Sequence, residues 1–443
     1  MDGDVISNPY LRGNFAPVTS EDDFDVAIIG EVPRELTGTL YRIGPNPQFQ
    51  PRDPNYRWFF GDGMVHAFRV EDGKVRYRNR YVRTPKWKLE KGAGRSLFGA
   101  MGNPATTDPS VFGQDSGVAN TNIVWHAGKL MALEEGHAPT AMTPGDLETL
   151  GYLADYGGRV TAHPKIDPET GEMVWFAYSA GETPLNAQVA YGVTDAAGQV
   201  VRRDVFEAPY CSMIHDFMVT DRHVLFPVLP LTGSFERAMR GLPPFAWEPD
   251  KGSHVGVMRR DADVSTIRWF NTGAAYVFHP MNAWEDGDLI HADVMRYDHA
   301  PMFGGPDGSP GKPSAARLVR WTFDLAAASD AIKETPLDDL DGEFPRLDER
   351  RAGLSYRHGF YGADTHGAQS VKLNAIAHLD LETGRRQVYE LPAGDFTSEP
   401  VFTPRSSRAE EGDGWLTAVV YRGGEDRSDL LVFEAQDVAR GPI

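Results

Sequence analysis

The sequence predicts an all-β protein, and in particular a seven-bladed β-propeller. Pairs of strand-like segments joined by a turn centred on Asp or Gly recur along the chain, and long helical periodicities are absent. The turn aspartates are separated by 74, 49, 66, 63, 56 and 57 residues, at Asp72, Asp146, Asp195, Asp261, Asp324, Asp380 and Asp437. Each interval fits a four-stranded blade with inserted loops. A pair of β-sandwiches would also produce regular hairpins, but it gives no reason for a count of seven.

Seven strand–turn–strand units account for this spacing. Four are clear, and begin at Val65, Val189, His254 and Leu373. Two are looser, and begin at Leu130 and Arg317. The last, "DLLVFEAQDVARGPI" from Asp429, has a first strand and a turn but no return strand before Ile443. We therefore expect a single propeller domain over 1–443, with 1–35 as an N-terminal lead-in and the closing C-terminal strand missing.

Composition excludes several classes of protein. The apolar share of 41% and the aromatic share of 11% are sufficient for a large core, so disorder is not expected. A formal charge of −19 without a Lys/Arg cluster argues against a nucleic-acid partner. The single cysteine, Cys211, excludes an internal disulfide and favours a reducing compartment. The N-terminus does not resemble a secretory signal, so we expect a cytoplasmic protein.

One segment combines exposed-type apolar residues with arginines. "LTGSFERAMRGLPPFAW", at 231–247, contains Phe235, Met239 and Arg240. It predicts a loop with a short helix that covers the core, as part of a dome. Peripheral contact with a membrane is the alternative for the same pattern.

Three histidines carry the hypothesis of a metal site. His163, His215 and His279 lie in strand-like settings and are separated by 52 and 64 residues, which is about one blade each. A lone histidine in an apolar strand is ordinarily a core residue, but the inner strands of a propeller converge on one axis. No zinc-finger, HExxH or CxxC spacing offers a locally built zinc site. Imidazoles gathered on an axis suit Fe(II), Zn or Cu, whereas Mg and Ca prefer oxygen ligands.

Several motifs, in order over essentially the whole chain, resemble the carotenoid cleavage oxygenase family. They resemble most closely its bacterial branch, which includes lignostilbene- and isoeugenol-cleaving enzymes. The family likeness implies a seven-bladed propeller with a loop and helix dome and an axial non-haem Fe(II). In that family four histidines hold the iron, and glutamates orient three of them. The motifs are "GTLYRIGPNPQF", "FFGDGMVHAFRV", "TAHPKIDPETGE", "IHDFMVT", "FHPMNAWE", "EFPRLDER" and "SEPVF".

The resemblance assigns roles to individual residues. It implies that the iron ligands are His163, His215 and His279. It also implies that the glutamates behind them are Glu135, Glu343 and Glu399. Asn282, Trp284 and Glu285, close behind His279, are interpreted as its structural surroundings. No catalytic residue is expected beyond the metal site.

The resemblance also implies the reaction and its partners. The family cleaves an alkene C=C with O₂ into two carbonyl products, so we expect O₂ and an apolar alkene as substrates. An apolar tunnel beside the metal would be lined by Phe59, Phe60 and Phe278. A propeller that binds a ligand without catalysis is the alternative from a different class.

Two positions bear on which alkene is cleaved. In enzymes of the phenolic branch, a Tyr and a Lys hold and deprotonate the substrate phenol. Alignment with those enzymes places Met101 at the Tyr position and Glu134 at the Lys position. Since a carboxylate cannot stabilise a phenolate, we expect a carotenoid, an apocarotenoid or another non-phenolic alkene. Lignostilbene or phenylpropene cleavage is the alternative.

The fourth histidine of the family falls beyond Ile443. In the family it lies in a closing segment shortly after a stretch that resembles "LLVFEAQDVARGPI". We therefore expect the natural protein to be longer than the 443 residues of this sequence. This form is expected to carry a three-histidine site with weak iron binding and little activity.

Overall fold

The computed structural model describes residues 8–99, 103–367 and 372–443. The chain divides into two compact units, each with its own internal packing. The first unit is Met1–Ala162 with Thr194–Val201, and the second is His163–Val193 with Arg202–Ile443. The prediction of one domain over the whole chain stays a prediction.

The first unit contains two four-stranded antiparallel sheets. The strands of the first are β1 Asp23–Asp25, β2 Gly38–Pro45, β3 Gly63–Glu71 and β4 Lys74–Tyr81. They are hydrogen-bonded in the order β1-β4-β3-β2. The strands of the second, hydrogen-bonded in chain order, are β5 Asn122–His126, β6 Lys129–Leu133, β7 Thr140–Met142 and β8 Thr149–Tyr152.

The β3–β4 hairpin shows why a turn could be predicted at Asp72. Burial alternates along β4, where Val75 and Tyr81 are buried and Arg76 is exposed, whereas β3 buries the adjacent residues Met64 and Val65. Asp72 and Gly73 join them with φ values of +51° and +73°. Positive φ at both central residues is typical of a type I′ turn, whose twist matches that of the flanking strands. The turn predicted at Asp72 is confirmed.

The remaining sheets follow along the rest of the chain. The third consists of β9 Lys165–Ile166, β10 Met173–Tyr178, β11 Gln188–Thr194 and β12 Val200–Glu207. The fourth sheet consists of β13 Met218–Val219, β14 His223–Val228, β17 Ser253–Arg259 and β18 Arg268–Thr272. A separate two-stranded hairpin, β15 Leu231–Gly233 and β16 Phe245–Trp247, is inserted between β14 and β17 in the chain. The fourth sheet has the order β13-β14-β17-β18, and β15 pairs with β16.

Three more sheets complete the second unit. The fifth has β19 Tyr276–Asp286, β20 Leu289–Tyr297, β21 Ala316–Asp324 and β22 Lys333–Pro336. The sixth has β23 Asp341–Leu347, β24 His358–Asp364, β25 Ala375–Asp380 and β26 Arg385–Glu390. The seventh has β27 Phe396–Thr397, β28 Val401–Pro404, β29 Gly414–Arg422 and β30 Arg427–Glu434.

The seventh sheet differs from the other six in its pairing. Both β27 and β28 pair with one edge of β29, and β30 pairs with the other edge. After β30 the chain turns through a short 3₁₀ helix, and the N–H of Ile443 donates to the carbonyl of Val432 at 2.9 Å. The expectation about residues beyond Ile443 stays a prediction.

Helices are few within the described residues. The two α-helices are α1 Pro85–Ala93 and α2 Phe235–Met239. Thr84 caps α1, since its hydroxyl accepts from Trp87 N at 3.2 Å, and Gly94 ends it in the left-handed conformation. The 3₁₀ helices are Pro9–Leu11, Gly13–Phe15, Trp58–Phe60, Pro104–Thr106, Pro109–Val111, Ala154–Tyr156, Pro249–Lys251, Val264–Thr266, Glu349–Arg351 and Val438–Arg440. In the described parts of the chain, neither α-helix has the length or apolar character to cross a bilayer.

The segment 231–247 forms a hairpin around α2. Arg237 secures it, because its guanidinium donates to the carbonyls of Pro243 and Pro244 and pairs with Glu248 at 3.1 Å. The short helix expected there is confirmed. Phe235 is 50% exposed and Met239 is 71% exposed, so apolar surface is available. Membrane contact and a dome role both stay predictions.

The core of the second unit lies between the faces of its sheets. Three tryptophans are almost fully buried, Trp175 on β10, Trp321 on β21 and Trp415 on β29. Burial of each large side chain contributes about 1.5–3 kcal/mol before the entropy cost of ordering it. This packing makes the strands near the histidines a rigid scaffold.

Candidate metal centre

The three histidines come together, and all of them belong to the second unit. Nε2 of His163 lies 3.1 Å from Nε2 of His215, and Nε2 of His215 lies 3.2 Å from Nε2 of His279. The rings meet edge to face, with centroids 4.6–5.0 Å apart. Their ε-nitrogens therefore point at one common place.

Only one of the three lies within a strand. His279 is in β19, at a register irregularity between Val277 and Pro280 that interrupts the pairing with β20. His163 lies two residues before β9, and His215 lies three residues before β13. The prediction of a strand setting is right for His279 and wrong for the other two. Both occupy irregular backbone at the start of a short first strand, where pleating does not dictate the direction of the side chain.

An ion pair joins the two irregular segments. Nζ of Lys165 lies 2.7 Å from Oδ1 of Asp216, and the Asp216 side chain is buried. Oδ1 of Asp216 also accepts from the backbone N–H of Phe217 at 2.7 Å. Lys165 is two residues from His163, and Asp216 is next to His215. The pair thus fixes the backbone that carries both imidazoles, and sequence reasoning missed it.

Glu343 contacts His279 directly. Its Oε2 accepts from Nδ1 of His279 at 2.7 Å, and the glutamate is buried on β23. A carboxylate acceptor at Nδ1 keeps the proton on that nitrogen, so Nε2 presents its lone pair to the other imidazoles. Burial alone would lower the pKa of His279, but the Glu343 carboxylate outweighs it and the pKa is raised. Burial and the neighbouring imidazoles hold the pKa of His163 well below its usual value.

The other two predicted glutamates have different surroundings. Glu399 pairs with Arg346 at 3.4 Å, and 43% of its side chain is exposed. Glu135 is half-buried after β6, in the first unit. Their roles behind the histidines stay predictions.

The predicted tunnel residues are also divided between the units. The ring of Phe278 lies edge to face on His215, with centroids 5.2 Å apart, so it offers apolar surface beside the cluster. Phe59 and Phe60 lie in the 3₁₀ helix Trp58–Phe60 of the first unit, and Phe59 is 42% exposed. The tunnel role of these two phenylalanines stays a prediction.

Of the two positions that bear on the substrate, only Glu134 is described. Met101 lies outside the described residues. Oε1 of Glu134 accepts from the backbone N–H groups of Val118 at 2.7 Å and Ala119 at 3.0 Å. Nδ1 of His137 is 3.2 Å from the same oxygen. The carboxylate is therefore held in a fixed position.

The residues behind His279 contact other parts of the second unit. The amide of Asn282 donates to the carbonyls of Arg351 and Leu354. Trp284 stacks under the guanidinium of Arg320, at 4.5 Å from the ring centroid. These contacts support the interpretation of structural surroundings.

The three histidines have the chemistry and spacing of a metal site. Two nitrogens bound to one ion at about 2.0–2.1 Å, and at right angles, are about 3.0 Å apart. The observed separations of 3.1 and 3.2 Å agree with that value. Within the described residues, this is the group of His, Cys, Asp and Glu side chains that could hold a metal ion.

Comparison with known proteins identifies the family of the chain. The family model described as RPE65, retinal pigment epithelial membrane protein, matches residues 15–443. The chain is 41% identical to isoeugenol monooxygenase of Pseudomonas putida, over 99% of this chain and 94% of that protein. The structure of Pseudomonas brassicacearum lignostilbene dioxygenase is similar with a TM-score of 0.93 and 36% identity, covering 98% of this chain and 95% of that one. Cobalt-substituted Synechocystis ACO gives a TM-score of 0.84 and 29% identity, covering 96% and 93%.

These similarities establish the fold and the family of the chain. The fold is a seven-bladed β-propeller, as predicted, built from the seven four-stranded sheets of the described residues. The chain belongs to the RPE65 and carotenoid cleavage oxygenase family, which confirms the resemblance found in its motifs. It is an oxygenase of the carotenoid-cleavage type.

Proposed function

We propose that this oxygenase cleaves an alkene C=C with O₂ into two carbonyl products, at an Fe(II) held by His163, His215 and His279. The convergence of the ε-nitrogens carries the proposal, since Nε2 of His215 lies 3.1 Å from that of His163 and 3.2 Å from that of His279. Neutral imidazoles suit Fe(II). Both oxygen atoms of O₂ enter the products, so the reaction balances without another reductant.

The iron, when bound, supplies the binding and activation of O₂. The work of the chain is to position groups around it. Glu343 keeps the Nδ1 proton of His279 in place, so that the unprotonated Nε2 faces the cluster. Phe278, against His215, provides an apolar surface for a double bond. The net reaction transfers no proton, so the chain does not have to supply or remove one overall.

The substrate class we propose is a non-phenolic alkene, such as a carotenoid or an apocarotenoid. Support comes from Glu134, whose carboxylate is anchored by two backbone N–H groups. A fixed negative charge disfavours a phenolate near it. Alignment within the family puts this residue where phenol-cleaving relatives have a lysine.

A second candidate is the cleavage of a phenolic phenylpropene or stilbene. The 41% identity to an isoeugenol monooxygenase and the TM-score of 0.93 to a lignostilbene dioxygenase favour it. It differs from the first candidate only in the need for a free phenol.

Matched substrates separate the two candidates. The Fe(II)-loaded protein is given isoeugenol and its O-methyl ether, then 4-hydroxystilbene and 4-methoxystilbene, and also an apocarotenal. The first candidate predicts that each ether is cleaved at least as fast as its phenol, and that the apocarotenal is cleaved. A strong preference for both phenols would establish the second candidate instead. Removal of the metal by a chelator should abolish every cleavage.

A further inference from the structure

We infer that Tyr297 is a positioning residue for the metal centre, acting on His279 through Glu343. The inference rests on the proposed function, because it assumes that His279 is a metal ligand. The Tyr297 hydroxyl extends the series of hydrogen bonds that runs from the imidazole of His279 to Glu343.

Glu343 has donors at both of its oxygens. Oε2 accepts from Nδ1 of His279 at 2.7 Å and from the backbone N–H of Phe344 at 2.5 Å. Oε1 accepts from the hydroxyl of Tyr297 at 3.0 Å. The Tyr297 bond is therefore the described contact that holds the oxygen facing away from His279. Without it, only the two donors on Oε2, among the described contacts, would fix the orientation of the carboxylate.

Tyr297 is itself held firmly. It is the last residue of β20, where it pairs with Tyr276 on one side and Ala316 on the other. Its ring is buried and meets Phe278 edge to face, with centroids 5.8 Å apart. Burial, and then the Glu343 carboxylate, raise the pKa of Tyr297 well above its usual value, so the hydroxyl keeps the proton that it donates.

Phe344 supports the same carboxylate from the opposite side. Its φ is +56°, a left-handed conformation that bulky residues rarely adopt. The register of β23 and β24 is irregular there, between Glu343 and Arg346. This backbone directs the Phe344 N–H at Oε2 and sets its ring against His279, with centroids 5.3 Å apart. Such outliers persist where the surroundings over-determine them, often at functional sites.

The test is Tyr297→Phe, which removes the hydroxyl and keeps the ring. The full chain is titrated with Co²⁺ against a competing chelator, and the visible absorption of bound Co²⁺ is recorded. We expect affinity about tenfold weaker, the lower end of the loss seen when an outer partner is removed, with an altered spectrum. The matched control is Tyr356→Phe, because the Tyr356 hydroxyl donates to Asp293 at 2.8 Å in an equally buried setting. That variant should keep the parental affinity and spectrum.

A double variant tests the route through Glu343. If Tyr297 acts through the glutamate, adding Tyr297→Phe to Glu343→Ala, which leaves no carboxylate for the hydroxyl to hold, should weaken Co²⁺ binding by much less than tenfold. Parental affinity and spectrum in Tyr297→Phe would overturn the inference, as would an equal loss in Tyr356→Phe or fully additive losses. If the parent takes up no Co²⁺, the metal centre itself is refuted, and this outcome is distinct from failure of the Tyr297 step alone.

Discussion

Replacing Glu343 with glutamine isolates the charge of the carboxylate behind His279. The side chain keeps its shape, and its amide oxygen can still accept from Nδ1 of His279 and from the N–H of Phe344, which both contact Oε2. The amide nitrogen then faces Tyr297, whose hydroxyl oxygen can accept from it. All three contacts are retained in Glu343→Gln, so the protein should fold with a stability close to that of the parent.

The loss should appear in metal binding. A carboxylate makes the imidazole a stronger ligand than a neutral amide does, and removing such a partner typically costs about 10–100-fold in metal affinity or activity. The lower bound corresponds to about 1.4 kcal/mol and the upper bound to about 2.7 kcal/mol. The 2.7 Å contact and the burial of Glu343 favour the upper half of this range, because little solvent screens the charge.

The assay is Fe(II) retention under anaerobic conditions, measured by competition with a chelator, alongside thermal unfolding. Glu334→Gln is the matched control. Glu334 lies on β22, at the edge of the sheet opposite the His279 strand β19, and its carboxylate pairs with Arg296 at 2.9 Å. It removes one negative charge without touching an imidazole. If Glu343→Gln retains iron as well as the control does, the role assigned to Glu343 is wrong.

Three other changes have defined outcomes. Glu399→Gln should weaken iron retention by less than Glu343→Gln, below about tenfold, because Glu399 pairs with Arg346 and is 43% exposed; the same chelator assay ranks the two. Burial would raise the pKa of Glu285, but hydrogen bonds, first that from His223, lower it to about 2. The stability that ionised Glu285 contributes is thus fully present above its usual pKa of 4.5 and is lost as the pH falls toward 2. Glu285→Gln should therefore lower the free energy of unfolding by about 1–2 kcal/mol at pH 7 and by less at pH 3, as measured by urea unfolding. Glu134→Gln, which keeps an acceptor but loses the charge, should raise the ratio of phenol to methyl ether turnover; an unchanged ratio would remove Glu134 from the substrate argument.

The sequence revealed the blades through their outer hairpins. Asp72 follows β3, the third strand of its sheet in chain order, and Asp195 and Asp261 follow β11 and β17, which occupy the same place. The turns at Asp72 and Asp195 are short, with two and five residues between the paired strands, so each is a local feature of the sequence. The first strands of the third and fourth sheets could not be predicted from the sequence. β9 and β13 have two residues each, too few to show a period of two.

The site was predictable only in part, for a physical reason. His163, His215 and His279 could be selected because their separations match a blade and their motifs resemble a family. The contacts that orient them depend on irregular backbone, such as the left-handed Phe344. Tyr297 lies 46 residues from Glu343 in sequence, and no local sequence pattern predicts a hydrogen bond between residues so far apart.

Irregular backbone is what allows three imidazoles to share one point. In a regular strand, successive side chains alternate between the two faces of a sheet, so a histidine there faces a neighbouring sheet. His163 and His215 escape this constraint because they precede their strands, and His279 escapes it because the register of β19 breaks beside it. Each break leaves backbone and side chains that need other support, and Lys165 with Asp216 and Glu343 with Tyr297 supply it. These partners belong to the proposed metal centre as much as the histidines do, so we expect variants of them to alter metal binding before they alter the fold.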